Sequence, residues 1–203
     1  MPEEKSKLGG VMVITRRNFG KLVGAGALGG TLGMTTMGLS CGSVFTDIEN
    51  YVPIGLAAFQ EIISLVAPAE AAVLAPIIAI VKATFADLTS IITQYQNAPA
   101  ADKATWLGKV KTAVNAVIAE LQQFWNDANL PDGGLASTIS GVLQIILSTL
   151  AAFLPAIGGA VAVSAKKLGK TLPVVAKKRS TKQLKSDINA VFMQYGYTGH
   201  QVY

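Results

Sequence analysis

The side chains that could carry chemistry are few: the 203-residue chain holds one histidine, one cysteine and 12 acidic residues. Ten acids lie beyond residue 40: Asp47, Glu49, Glu61, Glu70, Asp87, Asp102, Glu120, Asp127, Asp132 and Asp187. Glu61 and Glu120 are the pair that could flank a pocket as general acid and base. The plainer reading places them on the water side of two helices. The single histidine, His200, excludes a His-based metal cluster and a haem with two His ligands. A di-iron bundle needs Glu-x-x-His pairs on facing helices, and no such pair exists. The G-x-S-x-G, H-E-x-x-H, C-x-x-C-H and Walker patterns are also missing. Gly24-Ala25-Gly26-Ala27-Leu28-Gly29 matches G-x-G-x-x-G, but a dinucleotide site needs a strand before it and a βαβ unit around it. Arg16, Arg17 and Lys21 separate these glycines from the poor strand Val11–Ile14, so the match carries no cofactor. Neither an enzymatic activity nor a cofactor is expected.

Composition narrows the class further. Hydrophobic residues make up 51% and charged residues 14% of the chain, against about 25% charged in an ordinary soluble domain. Such a chain has ample apolar surface to bury and is not a disordered polyelectrolyte. One cysteine rules out a disulfide scaffold. Trp106 and Trp125 read as core or rim packing, with ligand stacking or a membrane interface as the other use of such rings.

Near the N-terminus, Thr15-Arg16-Arg17-Asn18-Phe19-Gly20-Lys21 resembles the twin-arginine signal motif, with Thr15, Arg16, Arg17, Phe19 and Lys21 at the motif positions. An uncharged stretch rich in Gly, Ala and Thr follows, from Leu22 to Thr46. A charged region, an apolar region and small residues near its end are the three parts of a signal peptide. The resemblance covers about 40 residues and implies export through the twin-arginine translocase. It says nothing of the rest of the chain. Cys41, in Gly38-Leu39-Ser40-Cys41-Gly42, resembles the lipid-attachment cysteine of a lipoprotein signal. It departs from that pattern in having Gly38 at −3 and the leucine at −2. Gly38 and Ser40 equally fit a small-x-small cleavage site, so both processing routes stay open.

The elements that would position any site read as helices. Apolar residues recur at spacings of three and four in four segments. The first is Val52, Leu56, Phe59, Ile63 and Val66. The second is Leu74, Ile78, Val81, Phe85, Leu88, Ile92 and Tyr95. The third is Leu107, Val110, Val114, Val117, Leu121 and Phe124. The fourth is Leu135, Ile139, Val142, Ile146, Leu150, Phe153 and Ile157. Ala67-Pro68, Asn97-Ala98-Pro99 and Asn129–Gly134 break the pattern between them. Short breaks between long helices favour antiparallel neighbours. The expected fold is therefore all-α, an up-down four-helix bundle with an additional amphipathic C-terminal helix. That fifth helix starts at a capping box, Ser180 and Gln183, carries Leu184, Ile188, Val191 and Tyr195, and stops at Gly196. Three regions follow: a signal peptide over 1–40, a helical bundle over 41–165, and a basic linker with the last helix over 166–203.

Charge is segregated along the chain. Cys41 to Asp132 holds four basic and nine acidic residues, a net −5; Gly133 to Tyr203 holds eight basic and one acidic, a net +7. The eight are Lys166, Lys167, Lys170, Lys177, Lys178, Arg179, Lys182 and Lys185. Such a cluster can contact an anionic membrane surface or another polyanion. It can equally be a solvated linker, or pack on the acidic bundle. Just before it, Leu135 to Ala165 is a 31-residue run without charge, long enough to cross a bilayer. Ser137, Gly141, Gln144, Ser148 and Ala152 recur through it at helical spacing. A bundle helix would turn that weakly polar stripe to water or to a close-packed neighbour.

The sequence thus leads to an exported prokaryotic cell-envelope protein, periplasmic or membrane-anchored, with a structural or binding role. The alternative is a membrane-active or inserted protein that spans with 135–165 and uses 166–185 at the lipid surface. Expected partners are the translocase during export, an anionic membrane surface and a protein still to be named; no specific nucleic acid is expected.

Overall fold

The computed structural model describes residues 41–128, 130, 133–160 and 172–203. The signal-like motif Thr15–Lys21, the glycines 24–29 and the lysines 166, 167 and 170 lie outside the described residues. Five α-helices and one 3₁₀ turn make up the regular structure described, with no strand among these residues. They are α1 (Cys41–Leu65), α2 (Pro68–Asn97), α3 (Lys103–Asp127), α4 (Gly134–Ala156) and α5 (Thr181–Gln194).

The apolar spacing explains the helices and which faces they bury. On α2 the residues buried are Leu74, Ile78, Val81, Phe85, Leu88 and Ile92, the expected stripe with Tyr95 half-buried at its end. On α3 they include Val110, Val114, Val117, Leu121 and Phe124. α1 differs from expectation at its start. It begins eleven residues before Val52, and Val44, Phe45, Ile48 and Tyr51 are buried there as well. Pro53 inside it withholds one N–H from the helix ladder but faces water, so the helix continues through it. Leu56 and Ile63 are only half-buried, and Ile62 takes the deeper position.

α2 packs on α3 and α1, α4 on α1 and α3, and α5 on α1 and α4. The core between them is apolar and aromatic. Phe45 of α1 stacks on Tyr95 of α2 with ring centroids 4.0 Å apart, and Phe59 of α1 meets Phe124 of α3 edge to face at 5.0 Å. The edge-to-face pair suits the ring quadrupole and adds about 0.5–1.5 kcal/mol beyond burial.

The helix ends are closed by local chemistry. α5 starts at the expected capping box: Gln183 N–H donates to Ser180 Oγ (3.2 Å) and Ser180 N–H to Gln183 Oε1 (3.0 Å). It stops at Gly196, whose φ of +84° is open to glycine. Tyr197 N–H returns to Phe192 O and Gly196 N–H to Met193 O, a Schellman motif. α4 ends in the same way at Gly158 (φ +70°), with Gly159 N–H on Leu154 O and Gly158 N–H on Pro155 O. On α5 the buried residues are Leu184, Ile188 and Phe192, whereas Val191 is half-buried and Tyr195 exposed. The stripe follows a spacing of four.

Among the described residues two helices, α2 and α4, are long and apolar enough to cross a membrane by length and composition alone. They differ in what covers them. The most apolar 18-residue window of α4 is 67% buried within the protein, that of α2 only 28%. The outer side of α2 carries Ala72, Val73, Ala75, Pro76 and Ala79, all exposed.

Candidate functional site

The basic segment approaches the helices along α4. Leu172 is fixed first: its carbonyl accepts from Gln122 Nε2 (2.9 Å) and its N–H donates to Gln122 Oε1 (3.2 Å). Gln122 sits among the core residues of α3, so both ends of its amide need partners there, and Leu172 supplies both. Five residues on, Lys177 N–H donates to Ser148 O (2.9 Å), pinning the extended chain to α4.

Arg179 is the anchor of the segment. Its side chain is 9% exposed. Nε donates to Asp187 Oδ2 at 2.8 Å, and Nη1 donates to Ser148 Oγ at 2.7 Å and Thr149 Oγ1 at 3.0 Å. Asp187 is the one acid on α5, and Ser148 belongs to the weakly polar stripe of α4. The planar guanidinium thereby ties the segment, α4 and α5 to one point, a fork that a lysine cannot reproduce. Next to it Tyr51 of α1 donates its hydroxyl to Ile146 O at 2.7 Å. Burial pushes the Tyr51 phenol well above its ordinary range; hydrogen bonding to Thr149 and the nearby Arg179 charge oppose that push more weakly.

The remaining basic residues are placed differently. Lys177, Lys178 and Lys182 are exposed and Lys185 is half-buried, its stem along the protein surface. Of the basic residues described in this segment, Arg179 is the one turned inward. The stripe Gly141–Ser148 of α4 is turned to α5 and the basic segment, not to open water. A Cβ placed on Gly141 would meet Val191 Cγ1 at 3.1 Å.

A second polar cluster holds the chain after α5. His200 Nδ1 lies 2.8 Å from Glu61 Oε2 and 3.3 Å from Ser64 Oγ, while Ser64 Oγ donates to Glu61 O (2.7 Å). A relay from hydroxyl to carboxylate uses one imidazole nitrogen for each. Here both groups meet the same nitrogen, so the arrangement clamps rather than relays. Val202 is buried beside it, and exchanges two hydrogen bonds with Asn189, through its N–H (2.9 Å) and its carbonyl (3.3 Å). Glu61 is therefore engaged by His200, and Glu120 is half-buried on α3. No group of three or more His, Cys, Asp or Glu able to hold a metal occurs among the described residues. Cys41 is the first residue of α1. Lys109 Nζ lies 3.5 Å from the Trp106 ring centroid, and Trp125 is half-buried against the core.

Asp187 and Ser148 were legible as an acid and as part of the weakly polar stripe but not as partners of Arg179, and Gln122 and Thr149 were not singled out. A signal for Gln122 was present: it is four residues after Ile118, at core spacing. The chain matches no protein-family model, no curated protein and no solved structure.

Proposed function

We propose that this is an exported helical-bundle protein of the prokaryotic cell envelope, with a binding role served by the exposed lysines of the segment after α4. The observation that carries the reading is the division of the basic residues. Arg179 is used to fix the segment, and Lys177, Lys178 and Lys182 are thereby held outward, free to meet an anionic lipid surface. Export is supported by Thr15, Arg16, Arg17, Phe19 and Lys21 with the uncharged stretch behind them. Cys41, at the head of α1, is the residue whose thiol would carry a lipid anchor. The up-down four-helix arrangement is part of the same proposal. It is supported by the contacts α1–α2, α2–α3, α3–α4 and α4–α1, which close a ring, and by the two residues that join α1 to α2.

Burial of α4 favours a bundle helix over a span across 135–165. A membrane-active reading finds support elsewhere, in the exposed apolar side of α2.

The test is export of the full chain. Replacing Arg16 and Arg17 by lysine keeps the charge and removes the guanidinium pair, and export should stop. Undiminished export of that double variant would overturn the assignment of route.

A further inference from the structure

Lys182 and Lys185 stand three residues apart on α5, and neither has an ion-pair partner among the described residues. Asp187, the acid nearest in sequence, is taken by Arg179. Beside the two lysines a groove of about 810 Å³ opens between α5 and α1. Its α1 wall is Pro53, Ile54 and Ala57, its polar edge is Asn50, and Tyr203 lies across from them. The volume is that of a small-ligand site, about 300–1,000 Å³.

The lining asks for two chemistries in one molecule. A neutral apolar guest would leave two ammonium groups without a counter-charge. A bare phosphate would satisfy the lysines and leave Pro53 and Ala57 wet. A phosphate joined to hydrocarbon meets both. The geometry points to a groove that takes one anionic phospholipid, its phosphate on Lys182 and Lys185 and the upper acyl carbons on Pro53, Ile54 and Ala57. This rests on the anionic-surface reading above and narrows it from a charged segment to a place between two helices. It also gives a reason for Pro53 on an exposed side of α1: the ring is a rigid apolar surface that needs no hydrogen-bond partner.

The probe is dihexanoylphosphatidylglycerol, titrated into the full chain below its micelle concentration, where no membrane surface exists. Calorimetry should show one saturable site per chain. Lys182→Gln with Lys185→Gln should weaken it by up to about 30-fold, the upper worth of two exposed ion pairs. Ala57→Trp, which fills the apolar wall without touching charge, should abolish it. Asn50→Glu, an exposed change that sets a carboxylate at the mouth, should weaken it too, and circular dichroism should show helix content unchanged in each. The zwitterionic choline analogue and inorganic phosphate should bind at least about tenfold more weakly, a difference of about 1.4 kcal/mol. Three results overturn the groove: phosphate binding as tightly as the lipid, lipid binding unaffected by Ala57→Trp and Asn50→Glu, or no binding of the monomeric lipid. If phosphatidylglycerol vesicles still bind in that last case, the groove fails and the surface reading stands. If the monomer binds and vesicles do not, the surface reading fails and the groove stands.

Discussion

Tyr51 shows how one hydroxyl is held inside an apolar core. Its proton goes to Ile146 O, and burial keeps the phenol neutral well beyond its ordinary range. Tyr51→Phe should cost about 1 kcal/mol near pH 8, the net worth of such a bond. The sign with pH follows from linkage. The folded protein keeps the proton while the unfolded chain releases it above about pH 10, so Tyr51 loses stabilising power as pH rises through that value. By pH 11 the gap between parent and Phe variant should fall by about 1.4 kcal/mol, which urea unfolding at the two pH values would read. A constant gap would mean that the hydroxyl ionises in the folded protein. Arg179 argues the same point for charge. It has three side-chain partners, so Arg179→Ala should cost about 2 kcal/mol, as for hydrogen bonds to a charged group. The loss is moderated because Asp187 is 40% exposed and remains hydrated when deserted. Denaturant unfolding that leaves the midpoint unmoved would remove Arg179 from its anchoring place.

At the scale of elements, the sequence was most legible where one face is buried. The stripe of α2 was readable residue by residue because its neighbours lie on one side only. Ser180, Gln183 and Gly196 were readable because capping is local: each bond joins residues within a few positions of one another. The start of α1 was not, since Pro53 punctuates the pattern and the 3-4 spacing resumes before it. Nor was the choice of Phe192 over Val191, which depends on what α5 lies against. The candidate site was legible as a set of basic residues and illegible as a division between Arg179 and the lysines. Nothing local distinguishes a cation that finds Asp187, Ser148 and Thr149 from one that does not. The close approach of α4 and α5 gives a test. Gly141 faces Val191 with little room, so Gly141→Leu should force the helices apart and cost about 1–3 kcal/mol. Hydrogen exchange should quicken in α5 before it does in α2 or α3; uniform quickening would place the strain elsewhere.

At the scale of the whole molecule, the two charge signs are kept on separate stretches beyond residue 40: net −5 from Cys41 to Asp132 and +7 from Gly133 to Tyr203. Exposed charges are screened over about 10 Å at 0.1 M salt. Binding of the full chain to phosphatidylglycerol vesicles should therefore fall steeply between low salt and 0.2 M. Reversing Lys177, Lys178 and Lys182 to Glu should abolish it, with Arg179 left in place because it serves the fold. Flotation of vesicles at several salt concentrations reads both effects. Salt-independent flotation would shift attention from the lysines to the apolar outer side of α2.

The last described helix closes onto the first described one. α5 lies on α1 and α4, and Glu61 meets His200 across 139 positions of sequence. During synthesis, then, α1 through α4 leave the ribosome with the stripe Gly141–Ser148 bare and Ser148 and Thr149 awaiting Arg179. Until α5 arrives, that stripe lacks its covering helix. For the export proposed above, by a route that accepts completed folds, docking of α5 is therefore the step that has to come before translocation.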